Sequence, residues 1–194
     1  MTIEAWDDIH RARDWGTCPE PAMARFAKRR FPRGAFVLDV GCGVGAQSYW
    51  LAESGYDVWA VDASPVAISR IRQRTPMLRT AVSDACDLRM FPDDHFDAVI
   101  DVCCLQHVGA ISKALAEIGR VLRPGGWLFS MAAAWDHAPE ALEGFARRLM
   151  WESIDKVYKL PWVAEIVTAK ASHTDGPLTI AHWLIEARKH AHAD

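Results

Sequence analysis

The sequence predicts an α/β fold: a mostly parallel sheet of about seven strands, helices on both faces, and an antiparallel hairpin near the end of the chain. Three observations carry this. Short apolar runs alternate with helical patterns from about residue 35 to 132, the arrangement that makes strands parallel and covers both faces of a sheet. The first of these runs, Ala35 to Val40, leads through Gly41-Cys42-Gly43-Val44-Gly45 into a helical pattern, Ala46 to Glu53. Two final apolar runs, about 163–169 and 179–187, have only Ser172-His173-Thr174-Asp175-Gly176-Pro177 and its neighbours between them. That is too short for a helical crossover, so they pair as a hairpin.

Each element has its own signal. Residues 1–18 hold Trp6, His10 and Trp15 with weak periodicity and stay unassigned. Pro19 and Pro21 suit the first turn of a helix running to about Arg30, with Met23, Phe26 and Ala27 inward. Phe31-Pro32-Arg33-Gly34 turns into the first strand. The helix after the glycine turn stops at Gly55, which suits the residue past a helix end. Tyr56 to Val61 is the second strand, and Asp62 closes it. Ser64 caps the next helix and Pro65 takes its first position. Val66, Ile68 and Ile71 face inward there, Arg70, Arg72 and Arg74 face water, and Thr75-Pro76 ends it.

Leu78 to Val82 is the third strand. Phe96 to Cys103 is the fourth, introduced by the turn Phe91-Pro92-Asp93-Asp94. A helix follows from about Ile111 to Leu122, with Ala114, Leu115, Ile118 and Leu122 on one face. Pro124-Gly125-Gly126 leads into the fifth strand, Trp127 to Ala132. Pro139 to about Tyr158 has the spacing of a long helix. Residues 1–194 are expected to form one domain, with an N-terminal lid and helix region at 1–33 and a core at 34–194.

Composition narrows the function. A chain of 194 residues can bury a full core. A hydrophobic share of 51% and a charged share of 24% are ordinary for a soluble protein. The net charge of −3 gives no electrostatic case for nucleic acid or an anionic membrane. No apolar run reaches the roughly 18 residues of a membrane span, and the first residues lack the basic region and apolar core of a signal peptide. A cytoplasmic protein, monomer or homodimer, is expected. The five cysteines form no C-x-x-C pair, so free thiols and no metal site are expected.

Strand, glycine turn and helix together cradle an extended, charged cofactor. The glycines let the ligand come close, and the helix start offers unpaired N–H groups. Asp62 lies about twenty residues beyond the loop, where such folds place a carboxylate on ribose hydroxyls. The site should therefore hold a nucleoside. Gly41-x-Gly43-x-x-Ala46 also fits a dinucleotide fingerprint, which leaves an NAD-type enzyme as an alternative. Asp39 weighs against it: a carboxylate beside the loop repels a pyrophosphate but suits an ammonium group. Asp39 has a second reading, as a cap of the helix after the loop.

The motifs Val37-Leu38-Asp39-Val40-Gly41-Cys42-Gly43-Val44-Gly45, Val61-Asp62-Ala63-Ser64, Ser83-Asp84-Ala85 and Leu122-Arg123-Pro124-Gly125-Gly126 resemble, in order and spacing, those of class I S-adenosylmethionine-dependent methyltransferases. The resemblance is strong over about Gly34 to Ala132 and implies a Rossmann-like three-layer sandwich with a terminal hairpin. It also implies S-adenosylmethionine as cofactor, S-adenosylhomocysteine as product and a small-molecule acceptor.

By that resemblance Asp39 would hold the methionine ammonium, directly or through water. Gly41, Cys42 and Gly43 would lie against the methionine part, Asp62 would take both ribose hydroxyls, and Ala63 would flank the adenine. Asp84 and Ala85 would meet the adenine edge, unless Asp84 is a turn residue. Cys103 would lie beside the sulfur end; Cys103 and Cys104 are adjacent in a strand, so at most one of them meets the site. Asp101 and His107 would meet the acceptor, with His107 as a general base or as a packed residue bonded to backbone. Tyr49 and His137 are weaker candidates. Trp6, Trp15 and Trp135 could line the mouth, while Trp50, Trp59, Trp127 and Trp183 pack in regular elements. A binding protein that keeps the cofactor site without turnover is the remaining alternative.

Overall fold

The computed structural model describes residues 2–13, 18–134, 160–175 and 178–191. In chain order the elements are α1 (Ile3–Ala12), α2 (Pro21–Arg30), β1 (Phe36–Val40), α3 (Ala46–Glu53), β2 (Asp57–Asp62), α4 (Pro65–Arg74), β3 (Arg79–Val82) and β4 (Phe96–Val102). A short 3-10 turn (Leu105–His107), α5 (Ile111–Val121), β5 (Leu122–Ala134), β6 (Val163–Asp175) and β7 (Leu178–Lys189) complete them. The long helix expected over about 139–158, with Trp15, Trp135 and His137, lies outside the described residues.

The seven strands form one sheet in the order β3-β2-β1-β4-β5-β7-β6. The first five are parallel, and β7 runs antiparallel to both β5 and β6. Alternation of side chains divides the core between the two faces. Val37, Ala98, Ile100, Trp127 and Phe129 pack with α2, α3 and α4 on one side. Leu38, Val40, Val99 and Leu128 pack with α5 on the other. Phe26 of α2 lies edge-on to Trp127 at 5.8 Å and tilted on Phe129 at 5.2 Å, so the aromatic weight sits against β5, next to the site-bearing β4.

Local signals become local structure. Ser64 Oγ accepts the Ala67 N–H at 3.1 Å and Pro65 opens α4. Gly55 has φ of 87°; its N–H donates to the Ala52 carbonyl while Tyr56 donates to that of Leu51, the paired bonds of a Schellman close.

Three expectations change. The first residues form a helix, α1. Its signal is Thr2, whose side chain accepts the Ala5 N–H at 3.3 Å, with Ile3, Trp6, Ile9 and His10 at helical spacing. Leu122 leaves the helix and pairs with Phe96 as the first residue of β5. The polar stretch Ser172 to Asp175 belongs to β6, paired residue by residue with β7 from Ala181 back to Leu178, because its backbone finds a partner whatever its side chains.

Candidate functional site

The carboxyl ends of β1, β2 and β4 meet at one edge of the sheet, where an open parallel sheet offers its crevice. The glycine loop leaves β1 there. Gly41 and Cys42 donate to the Val61 carbonyl at 2.8 and 3.0 Å. Gly41, Gly43 and Gly45 have φ of 67°, 53° and 91°, a left-handed path that side chains resist.

Asp62 fastens this loop to the next one. Its Oδ2 accepts the Gly43 N–H at 2.9 Å and its Oδ1 the Ser64 N–H at 2.8 Å. The carboxylate is half-buried, and each oxygen has a second lone pair beyond these bonds. Ala63 is half-buried beside it.

Asp39 is placed differently. It is 1% exposed and accepts the Ser48 hydroxyl at 2.5 Å, tying β1 to the first turn of α3. Burial pushes its carboxyl up to about 7; the Ser48 bond opposes this, and the nearby Asp62 and Asp101 add to it. Asp84 is exposed, and its Oδ1 accepts the Cys86 N–H at 2.8 Å in a tight turn. Ala85 is buried in the core beneath.

The Cys103–Cys104 pair divides between two surroundings. Cys103 has φ of 63° and donates its N–H to the Met131 carbonyl at 2.8 Å. This left-handed residue ends strand alternation and folds the next residue back over the loop. A Cβ on Gly41 would stand 2.2 Å from both Cβ and Sγ of Cys104. Cys104, not Cys103, therefore covers the glycine loop, while Cys103 packs against the core on the α2–α3–α4 side. Burial pushes the Cys42 and Cys104 thiols well up and that of Cys103 to about 12. Protonated thiols are poor nucleophiles.

Asp101 and His107 share the next loop but not the same surroundings. Asp101 is fully buried. Its Oδ1 accepts N–H groups of Cys104 and Leu105 at 2.8 and 3.0 Å, and its Oδ2 accepts the hydroxyl of Ser130, its cross-strand neighbour, at 2.6 Å. Burial raises this carboxyl to about 6 against those bonds. Asp101 thus holds the 3-10 turn from below and does not open onto an acceptor; Ser130 had no sequence signal as its partner. His107 is half-buried on that turn, with Nε2 3.0 Å from Gln106 Nε2. Burial lowers its pKa, which keeps the imidazole neutral near pH 7. Tyr49 is buried in α3 with its ring under the Arg74 guanidinium.

α1 lies across this edge and supplies residues that no sequence motif marked. Asp7 Oδ1 accepts the Ser64 hydroxyl at 2.5 Å. Arg70 turns in from α4 and donates to the carbonyls of His10 and Arg13; it was expected to face water, but the last carbonyls of α1, beyond the reach of the helix's own N–H groups, lie beside it. Trp6 stacks on His10 at 5.9 Å and meets His107 edge-on at 5.0 Å. The His10 ring rests on Gly43.

The residues at this edge fit an extended nucleoside: left-handed glycines that admit close approach, a half-buried acid bridging two loops, and a buried imidazole nitrogen, His10 Nδ1, without a hydrogen-bond partner among the described residues. Among the described residues no group of three or more His, Cys, Asp or Glu is placed to hold a metal ion.

Comparison with known proteins gives the site a context. Residues 38–130 match the family described as Methyltransferase domain. The chain is 31% identical over 137 residues to demethylmenaquinone methyltransferase of Tropheryma whipplei, covering 70% of this chain and 54% of that protein. It is 34% identical over 191 residues to 2-methyl-6-phytyl-1,4-hydroquinone methyltransferase of Synechocystis, covering 92% and 56%. The chain spans about half the length of the curated relatives it matches. A structure solved in work on the conversion of a disulfide bond into a thioacetal group during echinomycin biosynthesis superposes with a TM-score of 0.80 at 22% identity, covering 100% of this chain and 94% of the other. That likeness is one of fold.

Proposed function

We propose that the chain is a class I S-adenosylmethionine-dependent methyltransferase, a reading supported by its match to the methyltransferase domain and by its relatives, and that it moves a methyl group from S-adenosylmethionine to a small-molecule acceptor, leaving S-adenosylhomocysteine. The observation that carries the reading is Asp62, a half-buried carboxylate that holds the glycine loop and the start of α4 together where a ribose would lie. The relatives named above are methyltransferases, which supports methyl transfer over dinucleotide chemistry or binding without turnover.

The bound cofactor supplies a methyl group already activated by a sulfonium leaving group. What is left to the chain is alignment, exclusion of water and removal of a proton where the acceptor carries one. Asp62 would take the ribose hydroxyls. Gly41, Cys42 and Gly43 would lie against the methionine part under Cys104, and Asp39, being buried, would reach the ammonium through water. Ala63, Asp84 and Ala85 would border the adenine. His107 would accept the acceptor's proton on a ring nitrogen, its neutral form being the one a base requires. Asp101 acts at one remove, as the positioning residue of the turn that carries His107. α1 covers the crevice and keeps water out.

We assign the acceptor to small molecules rather than nucleic acid, supported by the net charge of −3. Residues 1–194 act as one unit, monomer or homodimer, in the cytoplasm. Five unpaired cysteines support a reducing compartment, and among the described residues no helix is long and apolar enough to cross a membrane. Two measurements test the proposal: calorimetry with S-adenosylhomocysteine against NAD, and label transfer from methyl-labelled cofactor into a metabolite extract. Tight NAD binding with no response to S-adenosylhomocysteine would overturn it.

A further inference from the structure

We infer that His10 of α1 contacts the cofactor, its Nδ1 hydrogen-bonding a hydroxyl or carboxylate in the ribose-to-methionine part of the bound nucleoside; this rests on the methyltransferase reading above. The first ground is burial without a partner. His10 is 6% exposed, yet its Nδ1 is buried and makes no hydrogen bond among the described residues. A buried polar nitrogen left unmet is costly and uncommon. Polar groups around it are engaged elsewhere. Asp7 accepts from Ser64, Arg70 donates to the carbonyls of His10 and Arg13, and Asp62 accepts from Gly43 and Ser64.

The second ground is place. The imidazole lies on Gly43: a Cβ there would be 3.3 Å from its Cε1. It is also near enough to Asp62 for the two charges to be felt. Gly43 and Asp62 are the two residues through which the site would hold the nucleoside, so the unmet nitrogen stands beside the groups that would bracket the ligand. A hydroxyl or carboxylate entering between them would supply its partner, and a neutral imidazole can donate or accept according to its tautomer.

The third ground is rigidity. α1 is pinned at its middle by Asp7 on Ser64 and at its C-terminal end by Arg70 on the last carbonyls. Trp6 stacks on the His10 ring and abuts His107. The ring is therefore positioned before ligand arrives, and its stacking partner touches the residue assigned to the acceptor.

The test is calorimetry of S-adenosylhomocysteine binding to the full chain and two variants, each checked for fold by circular dichroism. His10→Phe keeps an aromatic ring on Gly43 and Trp6 but removes the nitrogen. His10→Asn keeps a polar atom near the Nδ1 position without the ring. The expected result is a dissociation constant raised about fivefold in His10→Phe, the loss of one hydrogen bond, and held within about twofold of the parent in His10→Asn. Hydrogen exchange across residues 3–12 should slow on binding in the parent. The inference is overturned if His10→Phe binds as tightly as the parent, or if His10→Asn binds as weakly as His10→Phe. Failure of the parent to bind S-adenosylhomocysteine would instead overturn the methyltransferase reading itself.

Discussion

The Cys104 side chain covers the α-carbon of Gly41 so closely that a Cβ there would stand 2.2 Å from both its Cβ and its Sγ. The residue after β4 thus sets the height of the loop after β1. Gly41→Ala should destabilise the fold by about 3 kcal/mol, part from a side chain at φ of 67° and part from overpacking. Adding Cys104→Gly should return the overpacking share only. Urea unfolding of the two single variants and the double variant measures the coupling; strictly additive losses would mean that the two residues do not bear on each other.

Asp62→Ala should weaken S-adenosylhomocysteine binding by about 2–4 kcal/mol. Two hydrogen bonds to a charged acceptor are lost, at about 1.5–3 kcal/mol each before water compensates. The same change frees the Gly43 and Ser64 N–H groups, so stability should fall as well. Calorimetry on a variant that circular dichroism shows to be folded separates the two, and an unchanged dissociation constant would leave Asp62 with only a structural role.

Asp39 and Asp101 should give stability an acid-favouring slope. In the folded chain burial holds them at about 7 and about 6, whereas unfolded aspartate titrates near ~3.9. Between those values the folded state binds more protons, so stability falls as pH rises from about 4 to about 7 and levels off above. Asp39→Asn should flatten that slope, read from urea midpoints at several pH values. A slope unaltered by the substitution would show that another group carries it.

The same carboxyl can report on the ligand. If the methionine ammonium comes within reach of Asp39, directly or through water, its positive charge favours the ionised form. Binding near pH 7 should then release a proton, seen as a binding heat that changes with the ionisation heat of the buffer. Asp39→Asn should abolish the release. Buffer-independent heats in the parent would place the ammonium elsewhere.

His107→Ala and Asp101→Ala should separate chemistry from support. His107 is half-buried and, among the described residues, its side chain hydrogen-bonds only its neighbour Gln106, so its loss should lower kcat at little expense in stability. Asp101→Ala leaves two N–H groups and a hydroxyl without their acceptor and should cost about 3 kcal/mol. A thermal scan beside single-turnover rates tells them apart, and wild-type kcat in His107→Ala would remove it as the base.

What the sequence discloses here is what is local. Ser64-Pro65 and Gly55 act within one turn of their own helices, and both stand where the pattern puts them. The glycine loop and Asp62 follow from spacing along two adjacent strands. What stays hidden depends on distant partners. α1 has a modest pattern of its own; Gly43, Ser64, Arg70 and His107 give its inner face a purpose, and all four lie far along the chain. Asp101 reads as a residue at the mouth until Ser130, 29 residues on, is found beside it. Cys104 replaces Cys103 at the loop because one backbone angle changes hand, and nothing in the side chain of cysteine announces that.

The strand order carries a consequence for how the sheet is assembled. β6 is made before β7, yet β7 lies between it and β5. β6 therefore has no place on the sheet until the strand after it has been synthesised and has docked against β5. During that interval the parallel part can form from β1 to β5, with the backbone of β5 exposed along one side. An unpaired edge invites pairing with another chain, and β5 is apolar along Trp127, Leu128, Phe129 and Met131. That exposure ends when β7 docks and closes the edge.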